Sequence, residues 1–232
     1  MIKKKANNLY KRQKTINLRN ELFSNNYQKT IKLQEKLASK VITKNESRSQ
    51  FQKICGVDVS YKNDTAFCSA VIYDITQKKV IESADSKIQS KSSYVPGLFM
   101  LKESKPIFNV LKKLKQNFDL LLVDGNGQLH PRYCGLACYI GLKYDIPTIG
   151  VAKKLLCGKI QDDSQVFYGG KMVGYQIKKN KKRIYVSVGN KINLKTATRL
   201  VNEMIIDDYW YPEPLRIADF NSKQLSRKLI SK

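Results

Sequence analysis

Apolar positions in this chain change their spacing along its length, and the changes mark out elements. Ile54 to Tyr61 reads as a strand, and Thr65 to Ile75 as its hairpin partner through Lys62-Asn63-Asp64. A third strand follows around Val80 to Ile88. From Leu98 to Leu114 the apolar residues Ile107, Val110, Leu111 and Leu114 fall at helical spacing. Leu120 to Asp124 reads as a strand buried on both faces, since Leu120 to Val123 is a continuous apolar run. A helix around Gly135 to Leu142 leads to a second such strand, Thr148 to Val151. Two more strands are expected near Val166 to Ile177 and Arg183 to Val188. Helices close the chain near Leu194 to Ile206 and beyond Pro214. Hairpin-linked strands followed by alternating helix and strand predict an α/β domain with a mixed sheet.

The first 50 residues differ. They hold thirteen Lys or Arg against three Glu. Apolar residues recur loosely at Leu9, Ile16, Leu18, Leu22 and Phe23, then at Ile31, Leu33, Leu37 and Val41. Two weakly amphipathic helices with a turn near Asn25-Asn26 fit this pattern, with the first lysines disordered. The expected division is a basic segment, 1–50, and a catalytic domain, 51–232.

Charge sharpens the picture. The 232 residues carry a formal net charge of +24. A Lys- and Asn-rich compositional bias explains part of that excess. The remainder points to a polyanion, with nucleic acid the obvious partner. No apolar run approaches the roughly 18 residues of a membrane span, and no secretory signal is visible. Five cysteines without a CxxC pair fit reduced thiols, and a cytoplasmic or nuclear monomer is expected.

Three acids stand out against the basic background. Asp58 sits among small and apolar neighbours in its strand, where a carboxylate is costly unless neutralised. Asp124 ends the buried run and precedes a Gly-rich turn, where open α/β sheets place ligands. Glu103 falls on the inward stripe of its helix, four residues before Ile107 and seven before Val110. Singly, each also suits an ordinary role: a strand-end acid, a helix N-terminal charge, a loop cap. Their shared inward orientation favours a hard cation held by oxygen, Mg²⁺ or Mn²⁺. Carboxylates on a sheet beneath a basic surface suit phosphodiester hydrolysis.

The motifs narrow this further. Gly56-Val57-Asp58-Val59-Ser60-Tyr61 is followed by Ser93-Tyr94-Val95-Pro96-Gly97-Leu98-Phe99, with Glu103 four residues on. Then come Val123-Asp124-Gly125-Asn126-Gly127, His130-Pro131-Arg132 and Pro147-Thr148-Ile149-Gly150-Val151-Ala152-Lys153-Lys154. Val186-Ser187-Val188-Gly189 and Pro212-Glu213-Pro214-Leu215-Arg216-Ile217-Ala218-Asp219 follow. This ordered set resembles the endonuclease V family from about residue 50 to 220.

The resemblance implies an RNase H-like fold, a mixed central sheet flanked by helices. It implies metal-dependent hydrolysis of the phosphodiester one nucleotide 3′ of inosine. Asp58, Glu103 and Asp124 match the metal-binding acids, and Asp219 a further position near the metal. Lys153 matches the cation that aids the reacting phosphate. Tyr94 matches the wedge that fills the stack when inosine is flipped out. Gly97, Phe99, Gly125, Gly127 and Leu156 are candidates for the base pocket. His130 matches a position beside the phosphate path, and capping a loop is its other reading. Ser93 and Asn126 depart from the usual proline and from the bacterial His. The Asp-Gly-Asn-Gly form resembles eukaryotic members, which act mainly on inosine in RNA. RNA is therefore favoured over DNA. The alternatives are a DNA-repair enzyme acting on deoxyinosine, a general RNA–DNA hybrid nuclease, and an inosine-binding protein that does not cut.

Overall fold

The computed structural model describes residues 27–45, 50–90, 97–162, 164–206 and 209–228. The chain divides into two compact units, 1–33 and 34–232. Of the first, residues 27–33 are described, and they are helical. The first expected N-terminal helix lies outside the described residues. The second unit opens with helical residues 34–38 (α1) and then builds one nine-stranded sheet.

Its strands are β1 (Lys53–Lys62), β2 (Thr65–Asp74), β3 (Lys79–Gln89), β4 (Leu120–Asp124), β5 (Thr148–Ala152), β6 (Lys159–Gln161), β7 (Gln165–Tyr168), β8 (Lys171–Lys179) and β9 (Lys182–Asn190). Helices α2 (Phe99–Leu111), α3 (Leu136–Tyr144), α4 (Leu194–Glu203) and α5 (Glu213–Arg227) flank it. The strand order is β3-β2-β1-β4-β5-β9-β8-β7-β6. β1, β4 and β5 run parallel, while the other pairings are antiparallel. This is the mixed sheet of an RNase H-like α/β fold.

Strand parity assigns every central residue to a face. Ile54, Leu120, Leu122, Ile149 and Val151 pack with Ala197 and Leu200 of α4 and Leu215 of α5. Cys55, Val57, Leu121 and Val123 pack on the other face with Ile107 and Val110 of α2 and Ile140 of α3. Both faces are covered, which is why β4 reads as unbroken apolar sequence. Each fully buried Leu or Ile here contributes about 1.5–3 kcal/mol. α5 lies very close to β1: a Cβ added at Gly56 would meet the Pro214 carbonyl carbon at 2.5 Å. Only glycine permits that approach.

Three expected elements differ. The helix near 194–206 ends at Glu203. The single strand near 166–177 is a hairpin, β7 and β8, turning at Gly169-Gly170 with φ of +55° and +75°. The helix near 98–114 stops at Leu111, because i→i+3 bonds from Lys113 to Val110 and Leu114 to Leu111 tighten the chain out of it.

Candidate active site

The face that receives α5 also receives the acids. Asp58 shares parity with Ile54 and Gly56, and Asp124 with Leu120 and Leu122, so both point towards α5. The parallel register pairs Val57 with Val123, which brings the next residue of each strand side by side. α5 supplies Asp219 from above. One carboxylate oxygen from each of Asp58, Asp124 and Asp219 lies within 4.8 Å of the others. Glu103, from α2, lines the same cleft of about 480 Å³.

The charges there are poorly matched. Asp58 is 7% exposed. Burial, reinforced by the Asp124 charge, pushes its carboxyl up to about 7, although Ser222 Oγ donates a 2.7 Å bond to Oδ2. Glu103 is raised for the same reasons: burial first, then Asp124 and Asp58. Lys153, just past the end of β5, sets its Nζ 2.7 Å from Asp124 and 3.1 Å from Asp219. Burial works against its charge, but the two acids outweigh it and hold its pKa above the usual value. Burial would raise Asp219 too, yet Lys223 at 2.6 Å and Lys153 hold it below the usual carboxylate range. An ammonium already sits between two of the acids, so the site accepts a cation. Its donors are all carboxylate oxygens, which suit Mg²⁺ or Mn²⁺.

Of the other expected site residues, Phe99, Gly125 and Leu156 line this cleft, together with Asn126, Lys154 and Leu155. Asn126 Oδ1 is buried with no hydrogen-bond partner among the described residues. Gly127 is turned away and donates its N–H to Ser187 Oγ at 2.9 Å. Tyr94 lies outside the described residues. Gly97 and His130 meet in a separate clamp. The Gly97 carbonyl accepts from Gln34 Nε2 (3.2 Å), His130 Nε2 (3.0 Å) and Arg132 Nη2 (2.7 Å). His130 Nδ1 accepts from the Arg132 N–H, so the imidazole is neutral with its proton on Nε2. Burial, with the Arg132 charge, depresses His130 to about 4.

Sequence reasoning missed Ser222, Gln34 and Arg132 as parts of these clusters. Ser222 had a signal, since it stands one helical turn after Asp219. Gln34 had none, because its partners are 63 and 100 residues away.

The family model for endonuclease V matches residues 35–220. The chain belongs to the endonuclease V family. It is 39% identical to endonuclease V of Pyrococcus abyssi over 84% of this chain and 91% of that protein. It is 36% identical to that of Thermofilum pendens over 82% and 85% of the two chains. The structure resembles Ciona intestinalis endonuclease V in complex with a 24mer DNA containing an inosine followed by a ribo-adenosine. The TM-score is 0.79 at 24% identity, over 88% of this chain and 99% of that one. Human endonuclease V gives a TM-score of 0.77 at 27% identity, over 86% and 97%. As a member of endonuclease V, the chain is a nuclease and a hydrolase. No helix among its described residues is long and apolar enough to cross a membrane.

Proposed function

We propose that this endonuclease uses Mg²⁺, with Mn²⁺ as a substitute, to hydrolyse the phosphodiester one nucleotide 3′ of inosine, with RNA favoured over DNA. The observation that carries the reading is the convergence of Asp58, Asp124 and Asp219 within 4.8 Å, in a chain of this family. Those three acids and Glu103 would hold the ion. Bound there, it would supply a Lewis acid for the phosphate at neutral pH.

The chain's own groups do the rest. Lys153 presents its ammonium in the cleft, 37% exposed, where it offsets charge on an arriving phosphate. Phe99, Gly125 and Leu156 shape a pocket for a flipped base, and Tyr94 fills the gap the base leaves. The strand runs over a strongly basic surface, and the protein works as a cytoplasmic or nuclear monomer.

Asn126 supports the preference for RNA. Its Oδ1 is a buried acceptor without a partner among the described residues, in the wall of the cleft. A ribose 2′-hydroxyl donates where a deoxyribose has nothing to offer. His130 is a weaker candidate for this task, because both its ring nitrogens are engaged. The 24mer bound to the Ciona relative is a DNA in which the inosine is followed by a ribo-adenosine.

End-labelled RNA and DNA strands of one sequence, each with a single inosine, test the reading in Mg²⁺. One product should appear, cut one nucleotide 3′ of inosine, faster from RNA. Deoxyribose at that single 3′ nucleotide should slow cutting, and Asn126→Leu should narrow the RNA-to-DNA ratio. Equal rates on RNA and DNA would replace the RNA reading with DNA repair, and cutting without inosine would remove both.

A further inference from the structure

A second groove opens on the other side of Asp219. Tyr209, Trp210, Arg216, Phe220, Lys223 and Arg227 line about 250 Å³ of it, and Asp219, which also lines it, belongs to the acid cluster with Asp58 and Asp124. Four of these residues come from α5 at spacings of four, three and four, so they form one stripe along the helix. The opposite face of α5 is the buried one, carrying Pro214, Leu215, Ala218 and Ser222. Nothing in the core requires the stripe.

Its composition is unusual for bare surface. Phe220 is 56% exposed and Tyr209 43%. The Arg216 guanidinium is fixed by two 2.6 Å bonds to Glu213 and lies 4.1 Å over the Tyr209 ring. Lys182 Nζ stands 5.6 Å over Trp210. Aromatic faces beside fixed cations are what a single nucleic-acid strand needs, since bases stack and phosphates pair. Asp219 is the single acid in the lining, and it is already engaged by Lys153 and Lys223.

We propose that this groove is a strand-binding subsite: Phe220 stacks on a base of the substrate strand as it leaves the acid cleft, and Arg227 takes a phosphate further along. The inference rests on the reading of the acid cleft as the place of cutting. Stacking tolerates any base, so the subsite adds affinity and register without recognising inosine.

The test is fluorescence anisotropy in EDTA, which stops cutting, with a labelled single strand carrying one inosine and the same strand without it. Phe220→Ala and Phe220→Leu should each weaken binding of both strands by about five- to a hundredfold. Phe220→Trp should bind at least as tightly as the parent. Wild-type affinity in Phe220→Leu overturns the stacking role, and so does a loss in Phe220→Trp equal to that in Phe220→Leu. Arg227→Gln should make the slope of log affinity against log salt shallower by about 0.7, the share of one phosphate on a single strand. An unchanged slope removes Arg227. Failure of the wild-type protein to cut beside inosine would sink the proposed function and leave these binding results standing, so the two failures are distinct.

Discussion

Asp58 and His130 are almost equally buried, at 7% and 3% exposed, and both belong to polar clusters withdrawn from water. The clusters meet that cost in opposite ways. Around Gly97, the imidazole loses its charge, and three donors share one carbonyl. Around Asp58, four carboxylates gather, Lys153 bridges only two of them, and Asp58 and Glu103 are pushed upward by burial and by the Asp124 charge. A satisfied cluster stabilises the fold by itself. A frustrated one is stable only with something added, which makes it the candidate for function.

The sharpest way to break this contrast is Asp124→Asn. Cutting should fall to background in Mg²⁺, while affinity for the strand in EDTA changes little, because phosphate contacts supply most of the binding. Substantial turnover by that variant would show that the acids are not the catalytic centre.

Stability against pH should separate the clusters next. Asp58 has a folded pKa near 7 against an ordinary 3.8. Its folded value is raised, so its contribution to metal-free stability is fully present below about pH 4 and is lost as pH climbs through 7. His130 has a folded pKa near 4 against 6.5. Its folded value is depressed, so its part is fully present above about pH 6.5 and is lost as pH falls towards 4. In EDTA, Asp58→Asn should therefore raise Tm at pH 8 and leave it little changed at pH 4, an effect on the order of a few kcal/mol. His130→Gln should flatten the acid limb instead. A Tm difference for Asp58→Asn that does not grow with pH would mean the carboxylate is not frustrated.

The clamp should answer mutation with the opposite sign. Arg132→Ala removes a donor from the Gly97 carbonyl and from Gln34 Oε1, a 2.7 Å partner of Arg132 Nε. Left partly unpaired in a buried place, these groups should lower stability by about 1–3 kcal/mol in denaturant melts. A stabilised Arg132→Ala protein would erase the distinction between the two clusters.

How far each cluster could be read beforehand follows from the same physics. Asp58 and Asp124 were legible because a charged residue interrupts an apolar strand, and Glu103 because helical spacing turns it inward. Asp219 was visible only through its motif, since no local pattern says that α5 folds back over β1. The Gly97 clamp was legible only in the reading of His130 as a loop cap, which its bond to the Gly97 carbonyl bears out. Its donors Gln34, His130 and Arg132 are ordinary polar residues, and Gln34 lies in a stretch that composition marks as a basic tail. The β7–β8 hairpin was hidden for a different reason: Val166 to Ile177 keeps enough apolar residues to pass for one strand, and only Gly169-Gly170 gives the reversal away. Regular burial leaves a periodic trace in sequence, whereas a polar contact between distant segments leaves none.

The smallest effect is expected at Ser222, which belongs to neither extreme. Its hydroxyl is fully buried and donates to Asp58 Oδ2 at 2.7 Å, a hydrogen bond that works against the upward push on that carboxyl. Ser222→Ala removes a donor and leaves the acid more willing to keep a proton. The hydroxyl also fixes which way the carboxylate faces, so the variant must orient Asp58 anew whenever an ion is held. Groups that orient a metal-binding carboxylate typically change metal affinity by about 10- to 100-fold. We expect the low end here, because Asp124 and Asp219 remain in place. The Mg²⁺ concentration for half-maximal cutting should rise about tenfold, with the maximal rate near that of the parent. Added Mg²⁺ should raise Tm along a curve displaced by the same factor. If Ser222 only fills space beneath α5, Tm will fall in EDTA and the half-maximal Mg²⁺ concentration will not move, and its place in the acid cluster will be one of packing alone.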